Sequence, residues 1–165
     1  MIDLIHYSAK PLSLRQEEVA QPNSPKCSLG KPYGLWVSTP GEDDWPSWCR
    51  SEEFGLDRLR YETKIRISDE SRFLIIEDVQ SLRSLTKRYI CIVCRREFDR
   101  LGHINWKLVA AEYDGIIISP YQWECRLHET TDWYYGWDCA SGCIWRFNAV
   151  EAEESQMPSL TSAST

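Results

Sequence analysis

Ile104-Asn105-Trp106-Lys107-Leu108-Val109-Ala110-Ala111-Glu112-Tyr113-Asp114-Gly115-Ile116-Ile117-Ile118 reads as a helix, a glycine turn and a buried strand in direct succession. Ile104 to Tyr113 predicts the helix. Asp114-Gly115 sets the turn, because these residues tolerate tight backbone conformations. The apolar Ile116-Ile117-Ile118 run is too short for a helix of its own and is β-branched throughout, so it predicts a core strand. Outward from this unit, short strand patterns predominate. Ile2 to Tyr7, Leu35 to Ser38, Tyr61 to Ile67, Phe73 to Ile76 and Cys143 to Phe147 all predict strands. Helices are fewer: Ser81 to Tyr89 offers a cap and one apolar stripe. Many strands, few helices and no regular βα repeat predict an α+β fold rather than a helical bundle or a doubly wound nucleotide-binding fold.

The connections carry their own signals. Gln21-Pro22-Asn23-Ser24-Pro25 predicts a connector, since its prolines restrict the backbone and it has little apolar area to bury. Thr39 to Gly55 opens on Pro40-Gly41 and continues as an acidic, tryptophan-rich loop or short helix with Trp45, Trp48 and Cys49, placed to cover a ligand. Length bounds the rest: 165 residues suit one hydrophobic core. Residues 1–150 are expected to form a single domain. Residues 151–165 turn acidic and Ser/Thr-rich and predict a flexible tail.

Eight Trp and eight Tyr favour a compact core with some rings lining a cleft. The formal charge of -6 disfavours broad binding to nucleic-acid backbones. Met1 to Lys10 has neither the basic flank nor the apolar run of a signal peptide, and no segment is apolar for long enough to span a bilayer. A soluble, cytoplasmic protein without a membrane partner is expected. The seven cysteines are unevenly spaced, which argues against a complete disulfide framework.

On a strand, His6 and Ser8 share a face while Tyr7 takes the other. His6 could then bond a ribose hydroxyl and Ser8 a nicotinamide amide, with the backbone around Tyr7 completing amide recognition. His6-Tyr7-Ser8 resembles the first-strand His-x-Ser signature of ADP-ribosyltransferases. Gly34-Leu35-Trp36-Val37-Ser38 resembles the second strand of that family, with Trp36 in the aromatic position. Tyr113-Asp114-Gly115-Ile116-Ile117-Ile118-Ser119-Pro120 is similar to the strand before the acidic catalytic segment in compact members. The resemblance runs from about residue 4 to 147, and it is to compact mono-ADP-ribosyltransferases with a PARP-like or diphtheria-toxin-like NAD-binding core.

That resemblance implies a split antiparallel sheet with a few short helices, and NAD as cosubstrate without a metal. Asp138 is identified with the family's late acidic residue, as Asp in place of the commoner Glu, and Glu124, Glu129 and Asp132 are its competitors. Asp138 and His6 would be the catalytic pair. His6, Tyr7, Ser8, Trp36 and Ser38 would bind NAD, with Trp45 and Trp48 as a second aromatic surface. The implied reaction cleaves the nicotinamide–ribose bond and passes ADP-ribose to a macromolecule, with protein the leading acceptor and RNA the second. The implied setting is an effector, toxin or phage-related factor acting in a host cytoplasm.

Other readings compete. NAD hydrolysis or RNA-directed transfer would use the same fold, and a noncatalytic inhibitor or binding module would need only exposed aromatics and acidic charge. Cys91, Cys94, Cys139 and Cys143, with His103 as a substitute, invite a zinc site, but the spacing favours reduced structural thiols. Cys139 with His128 is a weaker catalytic candidate. Arg88, Arg95, Arg96 and Arg100 form a basic stretch read as a solvated face. GxGxxG, Walker A and HExxH motifs are absent, which argues against a dehydrogenase, an NTPase and a zinc protease.

Overall fold

The computed structural model describes residues 2–15, 18–20, 30–91 and 103–158. It is an α+β protein built on a seven-stranded mixed sheet curled into a half-barrel, with a few short helices. The strands are β1 (Leu4–Ser8), β2 (Leu35–Ser38), β3 (Tyr61–Ile67), β4 (Phe73–Ile76), β5 (Gly115–Ile118), β6 (Ser141–Ile144) and β7 (Val150–Ala152). Their order across the sheet is β4-β5-β6-β2-β1-β3-β7. The helices are α1 (Trp45–Ser51), α2 (Val79–Tyr89), α3 (Trp106–Glu112) and α4 (Trp123–Arg126).

All pairings are antiparallel except β4 with β5, which is parallel. The antiparallel sheet expected from the resemblance is thus found as part of a mixed one, with β4 added in parallel at one edge. The connection from β4 to β5 contains α2 and α3, and a long helical crossover is what a parallel pair requires. Register is dense on both sides of the sheet's centre: β1 pairs β3 at five positions, and β2 pairs β6 at four. Between them, β1 and β2 are registered only at Ile5 with Ser38.

Period-two alternation divides the core. Ile116 and Ile118 of β5 enter one cluster, while Ile117 enters the other. The first cluster is aromatic, with Trp106, Trp133, Tyr134, Trp137 and Trp145 packed against Leu82 and Leu85 of α2. The second is mainly aliphatic, with Leu4, Val37, Ile65, Ile117, Ile144 and Val150 on the opposite face. Burying each such large side chain contributes about 1.5–3 kcal/mol before entropy is counted.

Three boundaries differ from the sequence expectations. Helix α2 is capped by Asp78, whose carboxylate accepts from Ser81 N at 2.7 Å, so the helix begins before Ser81. The last predicted strand, Cys143 to Phe147, ends at Ile144. Beyond it the Trp145 and Arg146 amides donate to the Asp114 carbonyl, and Phe147–Ala149 forms a 3-10 turn. The segment expected to be a tail instead joins the sheet at its start: β7 pairs β3, and Gln156 bridges Glu62. Val150 is buried, while charged Glu151 faces water, as suits an edge strand. Among the described residues no helix is long and apolar enough to cross a membrane. The Gln21 to Pro25 connector lies outside the described residues, as do Cys27, Cys94, Arg95, Arg96 and Arg100.

Candidate functional site

A cleft of about 550 Å³ is lined by residues of both β1 and β2. His6 and Tyr7 reach it from β1, Trp36 and Ser38 from β2, Trp45 and Trp48 from α1, and Asp138 from the segment before β6. This volume is within the range of small-molecule and cofactor sites.

Helix α1 has seven residues and would be marginal alone. Three local devices hold it. The Asp44 carboxylate accepts from Ser47 N at 2.8 Å, Pro46 sits in the first turn where its missing N–H costs nothing, and the Ser38 hydroxyl accepts from Trp45 N at 2.9 Å. Trp45 and Trp48 stack at 5.0 Å and 17°, and Phe54 meets Trp48 edge-on at 5.6 Å. The helix thus carries a stacked aromatic wall. Ser38, expected to bind a cofactor, uses its hydroxyl to anchor this wall.

Trp36 needs close backbone approach at its own strand. A Cβ at Gly34 would run into the Ile144 carbonyl, so only glycine lets β2 lie against β6 there. The Trp36 ring packs on Trp137 at 4.8 Å, which ties the cleft to the aromatic core.

His6 is held by its Nδ1, 2.7 Å from the Trp36 carbonyl oxygen. A carbonyl only accepts, so Nδ1 carries the proton in this contact. Burial lowers the His6 pKa below its ordinary 6.5, outweighing the carbonyl bond that raises it. The neutral ring then leaves Nε2 as an acceptor. Tyr7 responds to Asp44 and Arg50 of the α1 region as well as to Glu62. Burial first, and then Glu62 and Asp44, push its phenol up to about 12, so it stays a neutral donor.

Asp138 is placed by its neighbours. The Trp137 amide donates to the Tyr134 carbonyl at 2.8 Å, and Ala140 exchanges backbone bonds with Asp43 at 2.8 Å and Thr39 at 3.1 Å. The carboxylate meets Lys31 Nζ at 2.9 Å, with the two side chains 24% and 29% exposed. Lys31 Nζ also lies 5.7 Å from the Trp36 ring centroid.

Ser8 does not join this assembly. Its hydroxyl donates to the Lys10 carbonyl at 2.7 Å at the end of β1, and Ser8 is not among the residues that line the cleft. The competing acids do not line the cleft. Glu124 pairs with Arg83 at 2.7 Å, and Glu129 and Asp132 line a separate surface pocket beside α2. Cys139 is buried, and burial pushes its thiol up to about 12, while His128 contacts Thr130, so the Cys139–His128 pair gains no support. Arg88 is paired with Glu112. Among the described residues no three His, Cys, Asp or Glu side chains group as metal ligands.

The sequence reading missed Lys31, Phe54 and Arg58, all of which line the cleft. Arg58 sits in a short 3-10 turn with its guanidinium 6.0 Å from the Phe54 ring. Asp44-Trp45-Pro46-Ser47 was a readable helix start. Lys31 had no such signal, because its partner is 107 residues away. No protein-family model, curated protein or solved structure matched the chain.

Proposed function

We propose that this protein is an NAD-dependent mono-ADP-ribosyltransferase. The observation that carries the reading is the convergence of His6, Trp36, the Trp45–Trp48 wall and Asp138 on one cleft. These residues come from four separate stretches of chain. The antiparallel run from β5 to β7, with β1 and β2 registered at a single position, supports a split NAD-binding sheet of the kind the sequence resemblance implies.

In this reaction the bond between nicotinamide and ribose breaks, nicotinamide leaves with the bonding electron pair, and positive charge develops on the ribose. Asp138 opposes that charge from a fixed position, where an oriented carboxylate is more effective than water. His6 Nε2 accepts from a ribose hydroxyl and holds the sugar, and the indoles offer flat faces for stacking. Arg58 offers the diphosphate a counter-charge. An acceptor nucleophile then attacks the anomeric carbon and loses its proton. Protein is the leading acceptor.

The test compares wild type with Asp138→Ala for nicotinamide release from NAD, with and without cell extract, and tracks labelled ADP-ribose by mass spectrometry. Release with a labelled acceptor, lost in the folded variant, supports transfer. Release without a labelled acceptor means NAD hydrolysis. If the folded wild-type protein neither binds nor turns over NAD in extract, the proposal fails and the binding-module reading takes first place.

A further inference from the structure

The ammonium of Lys31 already occupies the ground between Asp138 and Trp36. It makes an ion pair with the Asp138 carboxylate at 2.9 Å and stands 5.7 Å from the Trp36 ring centroid. A carboxylate beside an indole, with the stacked Trp45 and Trp48 pair and Phe54 in the same cleft, is a setting that favours cations. Both partners of the ion pair remain about a quarter exposed, so water screens it and its net contribution to stability is small.

We infer that Asp138 and Trp36 form a subsite for a flat organic cation, and that Lys31 is its internal occupant, displaced when such a ligand binds. The inference deepens the transferase reading and rests on it for the natural ligand, because the nicotinamide ring of NAD is itself a pyridinium cation. Neutral nicotinamide has the same ring without the charge. The subsite therefore binds substrate more strongly than the leaving group, and Lys31 returns to Asp138 as the product departs.

The probes are N-methylnicotinamide cation and neutral nicotinamide, titrated by calorimetry into wild type, Lys31→Met and Asp138→Asn. Lys31→Met keeps most of the side chain's length and removes the competing charge. It is expected to bind the cation about threefold to tenfold tighter, the scale of an ion pair and a cation–π contact together, with little change for nicotinamide. Asp138→Asn should weaken the cation and spare the neutral ring. In the wild-type protein, NMR signals of the Lys31 terminal methylene should shift with the cation and stay in place with nicotinamide.

Equal cation affinity in wild type and Lys31→Met overturns the inference, as does a gain for nicotinamide as large as that for the cation. So does a Lys31 signal unmoved at saturation. Cation binding that obeys these expectations in a protein inert toward NAD would sink the transferase reading and leave the subsite standing. NAD turnover without any cation preference would do the reverse.

Discussion

Asp114 and Asp138 are two carboxylates in ion pairs, set in opposite circumstances. Asp114 is 9% exposed and is gripped by two arginines, Arg72 through bonds of 3.1 and 3.2 Å and Arg146 at 3.0 Å. Its backbone carbonyl also receives the Trp145 and Arg146 amides. Side chain and backbone together join the start of β5 to the end of β6. Asp138 is more exposed, and among the described residues its ion-pair partner is Lys31. The difference is between a clamp and an exchangeable contact. Arginine's planar fork favours fixed geometry, whereas lysine's single ammonium can leave without disturbing a second bond. Charge pairing alone does not distinguish a carboxylate that clamps the fold from one whose partner can leave.

The sharpest contrast comes from removing each carboxylate. Asp138→Ala is expected to lower nicotinamide release by about a hundredfold to a thousandfold, the scale of losing one preorganised electrostatic group, with a thermal midpoint close to wild type. A collapse in its stability would make Asp138 a second clamp and erase the comparison. Asp114→Ala should do the opposite. It is expected to cost about 2–3 kcal/mol of stability, below the value for a fully buried pair because both arginines are half exposed. Chemical denaturation checks this, and wild-type-like stability would refute the clamp.

His6 gives a smaller, pH-dependent test on the cleft side. Burial lowers its pKa in the folded protein, so the unfolded chain binds the proton more readily. Its contribution to stability is therefore constant above the ordinary 6.5 and is lost as pH falls from there towards the lowered folded value. Denaturant midpoints of wild type and His6→Gln should diverge in slope across that acidic window and run parallel above it. Parallel curves throughout would place His6 in water. The smallest effect belongs to Ser8→Ala: its hydroxyl bonds the exposed Lys10 carbonyl, so stability and NAD turnover should change by less than about 0.5 kcal/mol equivalent. A large loss of turnover would return Ser8 to the site.

The strands were legible where side-chain period and burial agree. Tyr61–Ile67 and Phe73–Ile76 have the bounds their alternation and apolar runs predict. The edge strand β7 was not legible, because its acidic composition also describes a solvated tail, and only Val150 is fully committed to the core. At the site, the sequence carried the residue types of His6, Trp36 and Asp138, and the fold brought them to one cleft. The sequence could not disclose that Ser38 would hold α1, or that Lys31 would reach Asp138. Those facts depend on which hydrogen-bonding partners come within about 3 Å after distant segments meet.

The aromatic core has an optical consequence. Trp36 lies 4.8 Å from Trp137, which in turn lies 6.1 Å from Trp106 and 6.2 Å from Trp133, and Trp145 is 6.5 Å from Trp106. Excitation moves readily between indoles this close. Light absorbed deep in the core therefore reaches the cleft through Trp36, and an electron-poor ring seated there would dim the emission of the whole chain of indoles. The protein reports on its own cleft without a dye.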